Sequence, residues 1–346
     1  MSRREISYLI LVVTRSCNLS CVYCYENACR HDGAAMSLQT AEQAVGLAAA
    51  SGKPFHIQLS GGEPLLAPDT IFAVMELIRK KGIPAFVSLQ TNGVLLDREM
   101  IRSLNGYGVS IGLSLDGPPR LQEELRGGSA ATYRALSLLE DEGVPFRVTT
   151  VVSDCNVTKL QLLPMSLHGF SMASGIALDL LVKKGRAGQS GRCGLPAEPE
   201  LRSGVWKLLE TIRLLNRERR RPLELREELL VRQAFFKGSR GHYCAASCGS
   251  SLAVTPEGYL YPCTQTMGDP SCYLGQLEDV CFREHSSPLM SSVVDEAGCS
   301  DCPLEGRCPG ECPSRLLYNR GNGERLFCEL YRTIVDFCVQ TGDIVV

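Results

Sequence analysis

Cys17-Asn-Leu-Ser-Cys21-Val-Tyr-Cys24 places three thiols within eight residues. Thiolates are the usual protein ligands of iron–sulfur clusters, and a cubane cluster has four irons to satisfy. Three thiolates at this spacing would hold three irons and leave the fourth open to a substrate or cofactor. On spacing alone, a zinc site completed by a distant residue and a set of structural thiols are competing readings. A second constellation lies far downstream. Cys248 and Cys263 flank Gly258, and Cys299-x2-Cys302-x5-Cys308-x3-Cys312 follows, with Cys328 after a gap. Cys244, four residues before Cys248, is an eighth thiol. Eight thiolates are what two fully coordinated cubane clusters require. A pair of zinc ribbons would use similar CxxC-like pairs.

These two sets account for eleven of the seventeen cysteines in the 346-residue chain. A secreted disulfide scaffold would be short and would tend to an even cysteine count. In a reducing compartment, clustered cysteines are ligands before they are bridges. The six others are Cys29, Cys155, Cys193, Cys272, Cys281 and Cys338. Buried free cysteine serves as a small hydrophobe. Cys193, in Gly191-Arg192-Cys193-Gly194-Leu195-Pro196, is the one placed to touch substrate. The five histidines have no paired metal spacing, and His242 is a substitute ligand should Cys244 not serve.

The elements that must position these thiols follow from periodicity. Short apolar, β-branched runs alternate with helical patterns over the first ~180 residues, which argues for βα units and a parallel sheet. The expected strands are 6–13, 55–59, 85–90, 109–115, 146–152 and 176–182. Helices are expected from the Ser37 cap to Ala50, from Asp69 to Lys81 before Gly82, and from Thr132 to Glu142 before Gly143. Six βα units fit an α/β fold, an open partial (β/α)6 barrel, with a small, loop-rich C-terminal iron–sulfur domain. The expected organisation is 1–190 for the barrel, 191–237 for a Gly/Pro-rich linker and bridging helices, and 238–346 for a region that bound metal must staple.

Composition excludes some classes. With 36 Lys+Arg against 38 Asp+Glu the net charge is −2, so no global field favours nucleic acid or an anionic membrane. The basic run Arg217–Arg221, interrupted by Glu218 and followed by Pro222, reads as a solvated helix end. The apolar run Ile6–Val13 is too short to span a bilayer, and no small-residue cleavage site follows it, so a cytoplasmic location is expected.

The C-x3-C-x2-C motif, with Tyr23 as the aromatic before its last cysteine, resembles the signature of the radical S-adenosylmethionine (SAM) superfamily. Gly61-Gly62-Glu63-Pro64 follows the second expected strand like that family's GGE(P) motif, which binds the SAM amino group. Thr91-Asn92-Gly93 follows the third strand, and Ser114-Leu115-Asp116-Gly117 ends the fourth, as in the peptide and protein maturases of the family. The resemblance implies that Ser114 lies near the SAM ribose or carboxylate. Arg126, in Glu124-Leu125-Arg126-Gly127, matches an arginine that pairs with that carboxylate. With Tyr23, Asn92 and Asp116 these residues make up the expected cofactor-binding set. Taken singly, Gly61–Pro64 is also a plain tight turn and Asp116-Gly117 a hairpin-like turn. In barrel-like βα folds the site gathers at the carboxyl ends of the strands, where these motifs fall.

The downstream cysteines resemble the seven-cysteine SPASM extension, which holds two auxiliary [4Fe–4S] clusters. Its crossed pattern implies one cluster on Cys244, Cys248, Cys263 and Cys312, and another on Cys299, Cys302, Cys308 and Cys328. The expected cofactors are therefore SAM and three [4Fe–4S] clusters. The family's chemistry is reductive cleavage of SAM to a 5′-deoxyadenosyl radical that abstracts hydrogen from substrate. The expected partners are a peptide or protein substrate and an electron donor such as a flavodoxin or ferredoxin, with no nucleic acid, no membrane and no second subunit. A thioether or other cross-link in a ribosomally made peptide is the first expectation. A sulfatase maturase forming formylglycine and an enzyme of haem precursors are the alternatives. Sulfatase maturases usually carry Asp after the cysteine of Tyr-Pro-Cys, where this chain has Thr264 after Tyr261-Pro262-Cys263. A plain iron–sulfur electron carrier would leave Gly61–Glu63 and Arg126 without a task.

Overall fold

The computed structural model describes residues 5–29, 33–237, 242–278, 289, 299–300, 302–308, 310–320 and 326–344. Six parallel strands, each followed by helical structure, make the frame: β1 (Tyr8–Thr14), β2 (Phe55–Gly61), β3 (Ala85–Thr91), β4 (Ser110–Ser114), β5 (Phe146–Val152) and β6 (Ala173–Leu180). Their helices are α1 (Leu38–Ala49), α2 (Pro68–Lys81), α3 (Arg98–Gly106), α4 (Pro119–Leu125), α5 (Ser129–Asp141) and α6 (Leu162–Ser166). The caps follow from the sequence. Ser37 Oγ accepts from Thr40 N, Asp97 accepts from Met100 N, and Gly82 closes α2 in the left-handed region at φ 59°. This is the expected α/β partial barrel, with strand bounds within a few residues of those read from periodicity.

The sheet extends past the expected six strands. It has ten among the described residues, in the order β10-β9-β8-β1-β2-β3-β4-β5-β6-β7. At one edge β7 (Glu224–Leu225) pairs in parallel with β6. At the other, β8 (Ser251–Val254) pairs in parallel with β1, Tyr8 opposite Ser251. β9 (Tyr259–Tyr261) and β10 (Gly275–Gln276) continue from β8 as antiparallel neighbours. The cysteine-rich region is thus hydrogen-bonded into the same sheet as the barrel. This explains the unbroken apolar run of β1. Leu9, Leu11 and Val13 pack under the helices, while Ile10 and Val12 pack on the other face against Ala253, Tyr261 and Met267. A strand covered on both faces has no polar side to show.

The remaining helices clamp the two parts. α7 (Arg186–Gln189), α8 (Glu198–Asn216) and α9 (Arg226–Lys237) lead out of the barrel, and α10 (Pro313–Tyr318) and α11 (Leu326–Gln340) return to it. Trp206 of α8 meets Phe337 of α11 edge-on at 5.2 Å, and Arg202 bridges to Glu329 and Asp336. α11 carries Leu326, Phe327, Leu330, Tyr331, Ile334, Val335 and Cys338 on its buried face, so 238–346 holds one long helix that the loop-rich expectation did not include. No helix among the described residues is long and apolar enough to cross a membrane.

Candidate functional site

The carboxyl ends of the parallel strands gather the sequence motifs at one mouth. Cys17, Cys21 and Cys24 lie in the loop after β1, Gly61–Pro64 at the end of β2, Asn92 after β3, and Ser114 and Asp116 at the end of β4. The three thiols converge closely enough to affect one another electrostatically. Burial, then the neighbouring Cys24 and Cys17, pushes the Cys21 thiol up to about 12, with the nearby Arg126 guanidinium opposing. Burial also raises Cys17, against the N–H of Leu19, which points at its sulfur from 3.4 Å. A cation bound there reverses the sign of this crowding, because metal holds the thiolate form.

Gly61 and Gly62 run hard against the start of that loop. A Cβ on Gly61 would stand 2.1 Å from Thr14 O, and one on Gly62 2.3 Å from Ser16 O. The same segment is bonded there, Gly62 N to Thr14 O and Glu63 N to Ser16 O, both at 2.9 Å. The glycines therefore have a packing reason as well as the motif resemblance. The fully buried Glu63 carboxylate turns inward and accepts from Thr91 Oγ1 at 2.6 Å, Asn92 N at 2.8 Å and Leu65 N at 3.1 Å. Burial raises its pKa to about 7 despite these three donors. Glu63 thus fastens the turns after β2 and β3 to each other, with Pro64 opening a short 3₁₀ turn.

Asp116 is the hub on the opposite side. Its Oδ1 accepts from Thr150 Oγ1 and Val151 N at 3.1 Å each and from Arg126 Nη2 at 3.3 Å. Its Oδ2 accepts from Arg126 Nε at 3.0 Å and from the Tyr23 hydroxyl. The Arg126 guanidinium also lies over the Tyr23 ring, 5.3 Å from its centroid. The arginine expected on a SAM carboxylate thus has two nitrogens engaged with the protein. Ser114 Oγ accepts from Gln90 Nε2 at 3.1 Å, facing along the strand ends.

At this mouth, among the described residues, one buried N–H donor is left over. Asn92 Nδ2 bonds Asn18 Oδ1 at 2.7 Å, while Asn18 Nδ2 is buried without a hydrogen-bond partner next to Cys17. An unpaired buried N–H costs about 1–3 kcal/mol, so an acceptor supplied by a bound group fits this position. Sulfide, thiolate or carboxylate would serve. The three thiols, this donor and the glycine turn suit an iron–sulfur cluster with SAM.

Sequence reading missed Arg186, near the end of the segment expected to form the barrel. Its Nε donates to Cys21 O at 2.9 Å, its Nη2 to Ala28 O at 2.8 Å, and its backbone N to Cys24 O at 2.9 Å. It therefore holds the cysteine loop by its carbonyls. The signal was an isolated Gly-Arg-Ala after the sixth strand, which no local pattern marks as a ligand for backbone oxygen. Glu26 was missed too. Its Oε1 is buried without a partner, and burial raises the carboxyl to about 7 against the attraction of Lys184 and Arg15.

The downstream thiols fall into two neighbourhoods. Burial, then Cys312 and Cys244, pushes Cys263 up to about 12, and Cys312 and Cys248 act similarly on Cys244. Burial, Cys308 and Cys299 raise Cys328 to about 11, and Arg332 bonds Cys302. The first set reaches the barrel mouth, where Tyr25 OH and Thr264 Oγ1 are 3.2 Å apart and Lys184 Nζ donates to Gln265 O at 2.8 Å. Cys281 lies outside the described residues.

A sequence profile of the Radical SAM superfamily matches residues 11–154. The chain is 26% identical to a serine-type anaerobic sulfatase-maturating enzyme of Klebsiella aerogenes, over 96% of this chain and 86% of that one. Among solved structures, native anSMEcpe with bound AdoMet superposes with a TM-score of 0.78 at 19% identity, covering 99% of this chain and 100% of that one. SuiB of Streptococcus suis bound to S-adenosylmethionine gives 0.67 at 16% identity, over 93% of this chain and 76% of that one. These two likenesses establish a shared fold, and the profile match falls on the barrel whose strand ends carry the thiols, the glycine turn and the Asp116 hub. Residues 11–154 thus form a radical SAM domain, and the chain is similar over nearly its whole length to a sulfatase-maturating enzyme.

Proposed function

We propose that this enzyme oxidatively modifies a peptide, forming a thioether or another cross-link in a ribosomally made substrate. The observation that carries the reading is the convergence of Cys17, Cys21 and Cys24 with the Gly61-Gly62 turn and the Tyr23–Asp116–Arg126 hub at one end of the barrel. Cys17, Cys21 and Cys24 would hold a [4Fe–4S] cluster with an open iron for SAM. When bound, that pair supplies reductive SAM cleavage and hydrogen-atom abstraction from the substrate. Arg186 fixes the cysteine loop through its carbonyls, Glu63 joins two strand-end turns, and Asp116 orients Tyr23 beside the thiols. Cys244, Cys248, Cys263 and Cys312, with Cys299, Cys302, Cys308 and Cys328, would hold two auxiliary clusters in a SPASM arrangement. Eight thiolates leave no iron open, which suits electron transfer away from an oxidised substrate.

A peptide substrate is supported by the relatives. The Klebsiella protein is named for sulfatase maturation, and SuiB has been solved bound to its precursor peptide SuiA. A cytoplasmic enzyme working as a single chain, with a flavodoxin or ferredoxin as donor, completes the proposal. Formylglycine formation is the second reading, favoured by similarity along nearly the whole of the sulfatase-maturating relative. Thr264 beside Cys263 weighs against it. The test is replacement of Cys17, Cys21 and Cys24 together by Ala. Iron should fall by about one cubane in three, with 5′-deoxyadenosine formation abolished. A triple variant that still made 5′-deoxyadenosine would remove the catalytic assignment.

A further inference from the structure

Outside the site described above, one cluster of ligand-type side chains among the described residues closes on itself at the barrel mouth. Asp154 and Cys155 lie just past the end of β5, and Cys193 lies between α7 and α8. One ligand atom from each falls within 4.8 Å of the others. We propose that Asp154, Cys155 and Cys193 form a binding site for a single thiophilic divalent cation of the zinc class, with a fourth position open to water or a substrate thiolate.

The two sulfurs are 3.1 Å apart. Tetrahedral zinc with bonds of about 2.3 Å would set them roughly 3.7 Å apart, an opening of about 0.6 Å. A disulfide would need them at about 2.0 Å, a closure of about 1.1 Å. The smaller adjustment favours the cation. Asp154 adds a second argument, since a carboxylate beside two thiols completes a three-ligand set of the kind zinc takes. Its carboxylate is fixed in place. Asp154 Oδ1 accepts from Gly194 N at 2.8 Å, and Asp154 N donates to Gly194 O at 3.1 Å. The carboxylate packs closely on this turn, and a Cβ on Gly194 would lie 2.8 Å from Asp154 Oδ2.

Without a cation the cluster is electrostatically unfavourable for ionised sulfur. Burial, the Cys155 partner and Asp154 push the Cys193 thiol up to about 12, and burial and Asp154 raise Cys155 as well. A divalent ion offsets this, because it binds thiolate and carboxylate together. Access is also present. Cys193 is buried, Cys155 is half-buried and Asp154 is exposed, so an ion can enter from the solvent side. Three protein ligands and one open position is the pattern of zinc sites that take an exchangeable ligand, unlike closed four-ligand structural sites. Bound there, the ion would tie the segment before α8 to the end of β5. Cys193 packs in the same apolar cluster as Val22, Tyr23, Leu121 and Leu125, with Cys21 at its border. The site therefore stands beside the cysteine loop without sharing its ligands.

The test uses the full chain, purified anaerobically with its iron in place and dialysed against micromolar zinc. Zinc and iron are counted in the wild type and in Cys155→Ser and Asp154→Asn, both at positions with solvent access. Wild type should retain zinc, and both variants should lose it with iron unchanged. Zinc-edge X-ray absorption, which iron does not obscure, should give two sulfur and otherwise oxygen or nitrogen neighbours. The proposal is overturned if wild type retains no zinc, if Cys155→Ser retains as much as wild type, or if the zinc has four sulfur neighbours and so occupies an iron set. A Cys155–Cys193 disulfide in anaerobically alkylated protein, found by peptide mass mapping, would overturn it equally.

Discussion

Arg126 and Asp116 form a two-bond ion pair, Nε to Oδ2 at 3.0 Å and Nη2 to Oδ1 at 3.3 Å, with side chains 10% and 0% exposed. The same carboxylate accepts the hydroxyl of Tyr23, the aromatic residue between Cys21 and Cys24. The arginine therefore acts on the cysteine loop through Asp116 as well as by its charge beside the thiols. A role confined to the SAM carboxylate would leave the apoenzyme's stability untouched when Arg126 is removed.

Arg126→Ala is instead expected to destabilise the chain, because it leaves the buried Asp116 carboxylate without its counter-charge. Losing one partner of a buried pair costs about 3–5 kcal/mol. Removing the charge as well, in Arg126→Ala with Asp116→Asn, should recover part of that loss. Anaerobic thermal unfolding of the two variants and wild type measures it. Equal melting temperatures for Arg126→Ala and wild type would mean the pair contributes nothing and the arginine serves the cofactor alone.

Arg186→Ala should loosen the first cysteine loop while leaving the downstream thiols unaffected. Its side chain donates to Cys21 O and Ala28 O, and each charge-assisted bond is worth about 1.5–3 kcal/mol. The expected outcome is faster loss of about one cubane in three to a chelator, with the remaining iron lost at the wild-type rate. Arg186→Lys should not rescue it, since one ammonium cannot reproduce the planar fork that spans both carbonyls. Uniform acceleration of all iron loss would show that the segment supports the whole chain rather than this loop.

Glu63 makes a pH-dependent contribution whose sign is fixed by its surroundings. Burial raises it from 4.5 to about 7, so the folded state prefers its neutral form. The stability this confers is fully present below pH 4.5 and is lost as pH rises through about 7. The shift of 7 − 4.5 pH units corresponds to on the order of 3 kcal/mol. Glu63→Gln removes the titration, but its amide would point an N–H at the N–H of Asn92 or Leu65. The variant should be less stable at every pH, with the gap to wild type narrowing between about pH 4.5 and 7. Melting temperatures across that range check this, and a constant gap would place Glu63 outside the titration.

Much of the barrel was legible because each strand end carries its own punctuation. Gly82 and Gly143 stop helices, Ser37 starts one, and β-branched runs fix the strands between them. The edge strands were not legible. β8 is four residues long and pairs with β1, more than two hundred positions away, and such non-local pairing leaves no local pattern. α11 is a different case. Its apolar residues recur at helical spacing from Leu326 to Cys338, but the surrounding cysteines, Gly and Pro drew the reading towards loop. Within the site, thiol and glycine spacing pointed to the cysteine loop and its turn. Arg186 escaped because its partners are backbone carbonyls, which any sequence supplies. Asp116 was expected at the cofactor, and its partners Thr150 and Val151 come from the next strand, a contact only the register of β4 on β5 creates.

Thr264 follows Cys263 where sulfatase maturases usually carry Asp. Its hydroxyl lies 3.2 Å from Tyr25 OH and is a poor base near neutral pH. Formylglycine formation needs a base beside the oxidised carbon. A sulfatase-derived Cys or Ser peptide should therefore yield no aldehyde, even while reductive SAM cleavage is robust. The productive peptide should lose two hydrogens per modification and gain no aldehyde, as a thioether or other cross-link would. Intact-mass and aldehyde-trapping analysis of both peptides, under one set of anaerobic conditions, measures this. An aldehyde on the sulfatase peptide would reverse the ranking of the two readings and require another base. Glu26 is then the residue to replace, because its carboxyl is raised to about 7 and carries a buried oxygen without a partner in the segment that holds Tyr25. Under that outcome Glu26→Gln should abolish aldehyde formation and leave SAM cleavage running, whereas Thr264→Ala should change neither.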